Sequence, residues 1–548
     1  MIVRRAVVVV AICGALGAAA AVAQQRPGPV VSGYLFSIDL PDSGSEIRGM
    51  AAISARVSGH GDTLRLDLVG MSVDSVEELP SLRPLPFAYD GRALRIPLPE
   101  QRADVEAPAV AAQRQIRVDW HGTPRDGLII QPNARGRWSA FGDDWPQRAR
   151  DWIPTVDDPA HKAPVTWIVS APTGLEVVAN GRLEQRSAAG GRTAWLYKED
   201  RPLPTYTMVI GATRMTVSEH RPLIEGRDTI PMEVWAYPED SAFADSIPFR
   251  RVTEIVETLE HLIGPFPYEK LAHVESSTRY GGMENSSAIF YAEQGYVNRR
   301  MGESVVRHET AHQWFGDAVT ERDFHHLWLS EGFASYYDLV VGAELDGDSV
   351  LTRGMRRDAQ SYMRSRVVDR PVLDTAATDL TQLLDANSYQ KGAWVLHMLR
   401  EYIGPVAFFA GMRDYYRAYR DSSVLSDDFR HVMERASGKT LDWFFSQWLR
   451  QPGYPQLDVA WRYDATAREA VLDVAQVQPL AWGTFRLPGV TLAFATAAGE
   501  PVRRGVEVAA ARRQVLRIPL PAPPTDLRVD PDGSLLLAAT VHTSRGGP

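Results

Sequence analysis

Cysteine is nearly absent: a single one, Cys13, occurs in 548 residues. A chain with one thiol has no disulfide framework, so its stability must come from apolar cores and any metal it binds. Lysine is scarce as well, almost all the cations are arginine, and nowhere do they form a dense basic tract. With a formal net charge of −9 at pH 7, no nucleic acid partner is expected. Low-complexity segments and fixed-period repeats are also missing, which removes solenoids and propellers. Long apolar runs are confined to one place, the first two dozen residues.

That segment has Arg4 and Arg5, an apolar run from Ala6 to Val22, and Ala21-Val22-Ala23 ahead of Gln24. This is the layout of a secretory leader, expected as a signal peptide over residues 1–23 and cleaved near Ala23. The run is rich in Ala and Gly and at the short limit for spanning a bilayer, which favours cleavage over anchoring. Ile12 fits a lipoprotein box poorly. Cleavage would remove the only cysteine and take the net charge to −11 (−9 − 2). The expectation is a secreted or periplasmic protein without stable membrane insertion; the sequence leaves its oligomeric state open.

The hydrophobic period changes twice along the chain. From about Val31 to Glu219, alternating runs such as Thr63 to Leu68, Ala93 to Leu98 and Val165 to Val169 are separated by Gly, Pro and Asp turns, which predicts an antiparallel β domain over 24–219. Helical spacing takes over in stretches such as Phe249 to Leu259 and Ala393 to Leu399, predicting a mainly helical domain over 220–451. Gln451-Pro452-Gly453-Tyr454-Pro455 breaks the last helix, and strands from Gln456 to the Leu535 run predict a β-sandwich over 452–548. The fold class is therefore multidomain α+β, and a chain this long buries several cores.

Within the helical part, His308 and His312 stand four apart in Val306-Arg-His-Glu-Thr-Ala-His-Gln313. On a helix that spacing aims both imidazoles at one point, with Glu309 one residue round. Glu331 follows with 18 residues between it and His312, in a second helical stretch from Glu331 to Leu345, so two packed helices can share one metal. Two imidazoles and a carboxylate leave a fourth tetrahedral position for water, the arrangement of a catalytic zinc. One zinc per chain, held by His308, His312 and Glu331, is expected.

Three separated motifs, Gly281-Gly282-Met283-Glu284-Asn285, the His308 to His312 motif with Glu331, and Tyr389-Gln390-Lys391-Gly392-Ala393, resemble those of the gluzincin aminopeptidases of the aminopeptidase N and leukotriene hydrolase type. Asp157-Asp158-Pro159 with Lys162 resembles the N-domain signature of that family, and Trp443 to Pro455 the close of its catalytic domain. The resemblance implies a thermolysin-like catalytic domain and hydrolysis of the first peptide bond of peptides with a free amino terminus. Glu309 is then the general base and Tyr389 the donor to the oxyanion. Larger members carry a fourth, helical domain over the active site; this chain ends where it would begin, so a short form is expected.

The two glycines, Gly281 and Gly282, remove side chains where a substrate backbone would approach a strand edge. The resemblance implies that Glu284, flanked by Met283 and Asn285, faces the substrate's α-ammonium. Relatives usually add a second glutamate or glutamine nine residues before the proline matching Pro154, and here that position is Trp145. Asp143 and Asp144 are the expected substitutes if the loop shifts. His325 and His326 are not expected to bind metal. Asp338 is a candidate to orient a ligand from behind, Lys391 a surface or helix-start residue, and His397 and His431 structural. Two alternatives stay open: a gluzincin with endopeptidase or epoxide-hydrolysing activity, and a catalytically silent peptide-binding homologue, against which the intact Glu309 and Tyr389 argue.

Overall fold

In a computed structural model of the chain, residues 29–57, 62–98, 112–497 and 499–544 are described. The expected leader, with Cys13, lies outside them. No described helix is long and apolar enough to cross a membrane.

The first region is built on an eight-stranded sheet in which Val30–Asp39 runs antiparallel to Ile47–Val57 and parallel to Lys162–Pro172. The alternation read from the sequence is visible in Lys162–Pro172, where every second residue is buried, as a half-covered sheet requires. A four-stranded sheet containing Gly127–Pro132 and Trp138–Asp143 accompanies it. Trp152 and Trp167 stack with ring centroids 5.6 Å apart, and Trp120 is fully buried in the same core cluster.

The middle region is less purely helical than its periodicity predicts. It contains a five-stranded sheet in the order Thr216–Glu219, Met232–Ala236, Leu271–Ser276, Ala288–Ala292, Gly282–Met283. Its first strand lies before residue 220, so this sheet begins four residues upstream of the expected domain boundary. Short buried strands such as Leu271–Ser276, with all six residues buried, lack the alternation that would mark them. The helices Glu303–His312, Trp328–Asp346 and Gly392–Ile403 pack beyond this sheet. Trp328–Asp346 is buried along most of its length, the pattern of a helix surrounded by protein.

Polar contacts tie the β region to the zinc-motif helix. Lys162 Nζ donates to the carbonyls of Asp317 (2.7 Å) and Ala318 (2.9 Å), just past that helix, and Tyr206 Oη donates to Gly316 O at 2.9 Å. Asp157 is buried, paired with Arg150 and accepting from Thr205 Oγ1.

The C-terminal region has a four-stranded and a three-stranded sheet. Its last described strand is Ala538–Thr543, which takes in only Ala538 and Ala539 of the run that starts at Leu535. Leu536 is instead fully buried, its backbone N–H 3.4 Å from the sulfur of Met398 in helix Gly392–Ile403. An apolar triplet reads alike whether it fills a strand or a domain contact.

Candidate active site

Helix Glu303–His312 carries both histidines near its end, and Trp328–Asp346 supplies Glu331 from its first turn. The seam that lets Glu331 and Tyr389 meet depends on two glycines. A Cβ on Gly332 would lie 2.8 Å from Gly392 Cα, closer than side chains allow, so the two helices approach here backbone to backbone.

His308 Nε2 and His312 Nε2 are 3.1 Å apart, and Glu331 Oε2 is 3.2 Å from the first and 3.3 Å from the second. His312 Nδ1 lies 3.1 Å from the Phe315 carbonyl. Donating its proton there leaves Nε2 with a lone pair facing the other two donor atoms. Three electron-rich atoms converging in this way repel one another unless a cation lies between them. Tetrahedral zinc with ligand bonds of ~2.0–2.1 Å has ligand-to-ligand edges of roughly 3.3 Å, so His308, His312 and Glu331 fit the single catalytic zinc.

A second group shares His312: donor atoms of Glu284, Glu309 and His312 all lie within 4.8 Å of one another, and all three residues are buried. Burial pushes the Glu309 carboxyl well above the ordinary range against the pull of His312, with Glu284 and Glu331 adding to the rise. Burial raises Glu284 in the same way. Glu309 also explains Gly282: a Cβ there would sit 2.1 Å from Glu309 Oε1, whereas one on Gly281 would meet open space. The pair thus divides its work, one glycine clearing room for the carboxylate and the other leaving the approach open.

Gly282 and Met283 form the edge strand of the five-stranded sheet, paired with Tyr291 and Phe290. Gln313 fixes its end to the zinc helix: Nε2 donates to Glu284 O (2.7 Å) and Oε1 accepts from Ser287 N (2.7 Å). Nothing in the sequence singled out Gln313 except its place next to His312. Asn285 is fully buried, does not line the cavity, and its side-chain amide has no hydrogen-bond partner among the described residues.

Tyr389 sits in a wide helical turn, Asn387–Lys391, in which Lys391 N donates to Ala386 O five residues back. Such turns reset which face a helix presents. Tyr389 Oη donates to Glu331 Oε1 at 2.7 Å, and its ring stacks near His308 at 6.0 Å. Lys391 is not a surface residue: it is wholly buried, with Nζ donating to Gln451 O at 3.0 Å.

His325 and His326 lie off the metal site, near Asp323 and Ser426 respectively. Asp338 lines the cavity and accepts from Arg307 Nε (2.8 Å) and Ser304 Oγ (2.6 Å), not from a histidine. His397 is buried beside Trp394 and Tyr336, while His431 lies next to Arg430.

Asp143 and Asp144 do not reach the cavity. Asp143 is buried, paired with Arg148 and accepting from Arg279 N at 3.0 Å; Asp144 accepts from Trp152 Nε1 at 2.9 Å. Each carboxylate is already engaged, Asp143 bridging the β region to Arg279 of the middle region and Asp144 within the β region. Trp145 takes the place they were expected to fill. It lines a cavity of about 420 Å³ with Tyr280, Gly281, Gly282, Met283, Glu284, His308, Glu309, His312, Glu331 and Tyr389.

Residues 249–448 match the peptidase family M1 domain. A glutamyl aminopeptidase of Bitis rhinoceros is 30% identical over 361 residues, covering 62% of this chain and 37% of the relative. This chain therefore spans well under half the length of that curated protein. The M1 zinc metallopeptidase of Deinococcus radiodurans matches with a TM-score of 0.67 at 23% identity, over 78% of this chain and 95% of that one. Legionella pneumophila aminopeptidase A, solved with aspartic acid, gives a TM-score of 0.79 at 18% identity, over 95% of this chain and 60% of that one. At these identities the structural likenesses carry the fold.

Proposed function

We propose, from the premise that this chain belongs to the gluzincin aminopeptidase family M1, that it is an exported enzyme removing single residues from the amino terminus of peptides. The observation that carries this reading is Glu284. Its carboxylate is buried on the cavity wall, outside the zinc triad yet within 4.8 Å of Glu309 and His312. A carboxylate there suits an α-ammonium one residue from the bond to be cut. The free edge of Gly282–Met283 offers main-chain pairing to an extended peptide.

His308, His312 and Glu331 would hold the zinc, which would supply Lewis-acid chemistry and make a water easier to deprotonate. Glu309 takes a proton from the attacking water and passes it to the leaving amine. Burial suits the task by raising the affinity of Glu309 for a proton. As the scissile carbonyl oxygen gains negative charge, the Tyr389 phenol turns from Glu331 to donate to it. Glu284 holds the amine and so fixes which carbonyl stands before Glu309. Export rests on the leader-like first 23 residues alone.

The test compares a peptide with a free amine and its N-acetylated twin. A strong preference for the free amine, abolished by Glu284→Ala, is the expected outcome. Equal cleavage of both favours an endopeptidase, and the absence of any chelator-sensitive hydrolysis favours a silent binding protein.

A further inference from the structure

The cavity wall divides by chemistry. Trp145 and Met283 are buried members of one apolar cluster, and Tyr280 and Leu384 pack against it half-buried; all four line the cavity. Trp145 meets Tyr280 edge to face at 6.1 Å and Phe324 at 5.6 Å, so its ring is wedged in place. Val305, also in the lining, packs against a different cluster. The four residues therefore bring one apolar cluster to the cavity wall, and Met283 among them is the neighbour of Glu284.

Among the described residues no lysine or arginine lines the cavity. The nearby cations are already paired: Arg148 with Asp143, its guanidinium also 5.8 Å from the Tyr280 ring centre, Arg279 with Asp126 at 2.6 Å, and Arg307 with Glu303 and the cavity-lining Asp338 at 2.7 and 2.8 Å. The charged groups that do line it beyond the zinc triad, Glu284, Glu309 and Asp338, are all acidic. An acidic side chain entering here would lose its hydration with no side-chain cation to pair with and carboxylates nearby.

We propose that the first residue of the substrate is apolar or aromatic, its side chain seated on Trp145, Tyr280, Met283 and Leu384, and that N-terminal glutamate and aspartate are rejected. This rests on the aminopeptidase reading above. With the amine at Glu284 and the carbonyl between Glu309 and Tyr389, the side chain branches from the carbon joining them and meets the wall that continues from Met283. The preference is opposite to the one in the name of the glutamyl aminopeptidase relative.

The experiment measures kcat/KM of the zinc-loaded full chain on Leu, Phe, Ala, Glu and Arg amide reporters, each free and N-acetylated. Leu and Phe should exceed Glu by at least ~100-fold, since an unpaired buried charge costs more than a missing methylene. Leu384→Arg places a cation at a half-buried position and should lower the Leu-to-Glu ratio by at least ~10-fold. Should that variant fail to fold, Tyr280→Ala should cut Phe cleavage relative to Ala. Glu cleaved as well as Leu by the wild type overturns this inference and leaves the aminopeptidase reading standing, as does an unchanged ratio in the folded variants. If no free-amine reporter is cleaved, or acetylated reporters are cleaved as fast, the aminopeptidase reading falls and this inference with it.

Discussion

The phenol of Tyr389 donates to Oε1 of Glu331 across 2.7 Å, while Oε2 of the same carboxylate faces the two histidine nitrogens. One carboxylate thus joins the zinc triad to the proposed oxyanion donor. In Tyr389→Phe the phenol is lost but Glu331 still faces the histidines. Turnover should fall by roughly two to three powers of ten with little change in KM. Steady-state kinetics at saturating zinc decide this, and a defect mainly in KM would make Tyr389 a substrate-positioning group.

Metal and chemistry should separate by residue. His308→Ala, His312→Ala and Glu331→Ala should each lose zinc and activity together, because each removes one of three converging donor atoms. Glu309→Gln should keep one zinc per chain and lose turnover, being near the triad without belonging to it. Metal content by atomic absorption beside rates is the check, and full occupancy in His312→Ala would sink the assignment.

Gly281 and Gly282 should behave differently although they are neighbours. Gly282→Ala places a methyl 2.1 Å from Glu309 Oε1, so the carboxylate must move or the edge strand must shift. Because near-attack geometry is unforgiving, a loss of about 100-fold in kcat is expected with zinc retained. Gly281→Ala meets open space and should change kcat by less than about 3-fold. Equal effects would show that the crowding at Gly282 is relieved cheaply.

The zinc triad was legible because a helix of fixed pitch converts the spacing of His308 and His312 into a shared face, whatever surrounds it. Glu331 was legible from its spacing on a second helix and the role of Tyr389 through motif resemblance, but the contact between them was not, since it depends on Gly332 meeting Gly392 across two helices. Asp143 and Asp144 went astray for a different reason. Charge says what a residue can bind, and only the fold shows that Arg148 and Trp152 have already bound it. Lys391 is the same case in reverse: a lysine at a helix start reads as exposed until its surroundings are known.

Lys391 makes stability depend on pH. Burial lowers its amine from the ordinary 10.5 to about 7, and the polar partner of Nζ is Gln451 O. Between those two values the unfolded chain holds a proton that the folded chain has released. Unfolding therefore takes up protons, and the contribution of this residue to stability rises with pH. Its penalty is complete below about pH 7 and vanishes above about pH 10.5. Lys162 and Lys270, each lowered by burial to about 8, act with the same sign. Glu260 and Glu275, raised by burial to about 8 and about 9, act with the opposite one. The wild-type profile alone is therefore not diagnostic, and the informative quantity is the difference from Lys391→Met, in which the other groups cancel. Wild type minus variant unfolding free energy should climb by a few kcal/mol between pH 6.5 and 9.5, on the order allowed by a shift of several pKa units. Urea unfolding at both pH values measures it. A difference independent of pH would mean that the amine keeps its ordinary proton affinity inside the fold.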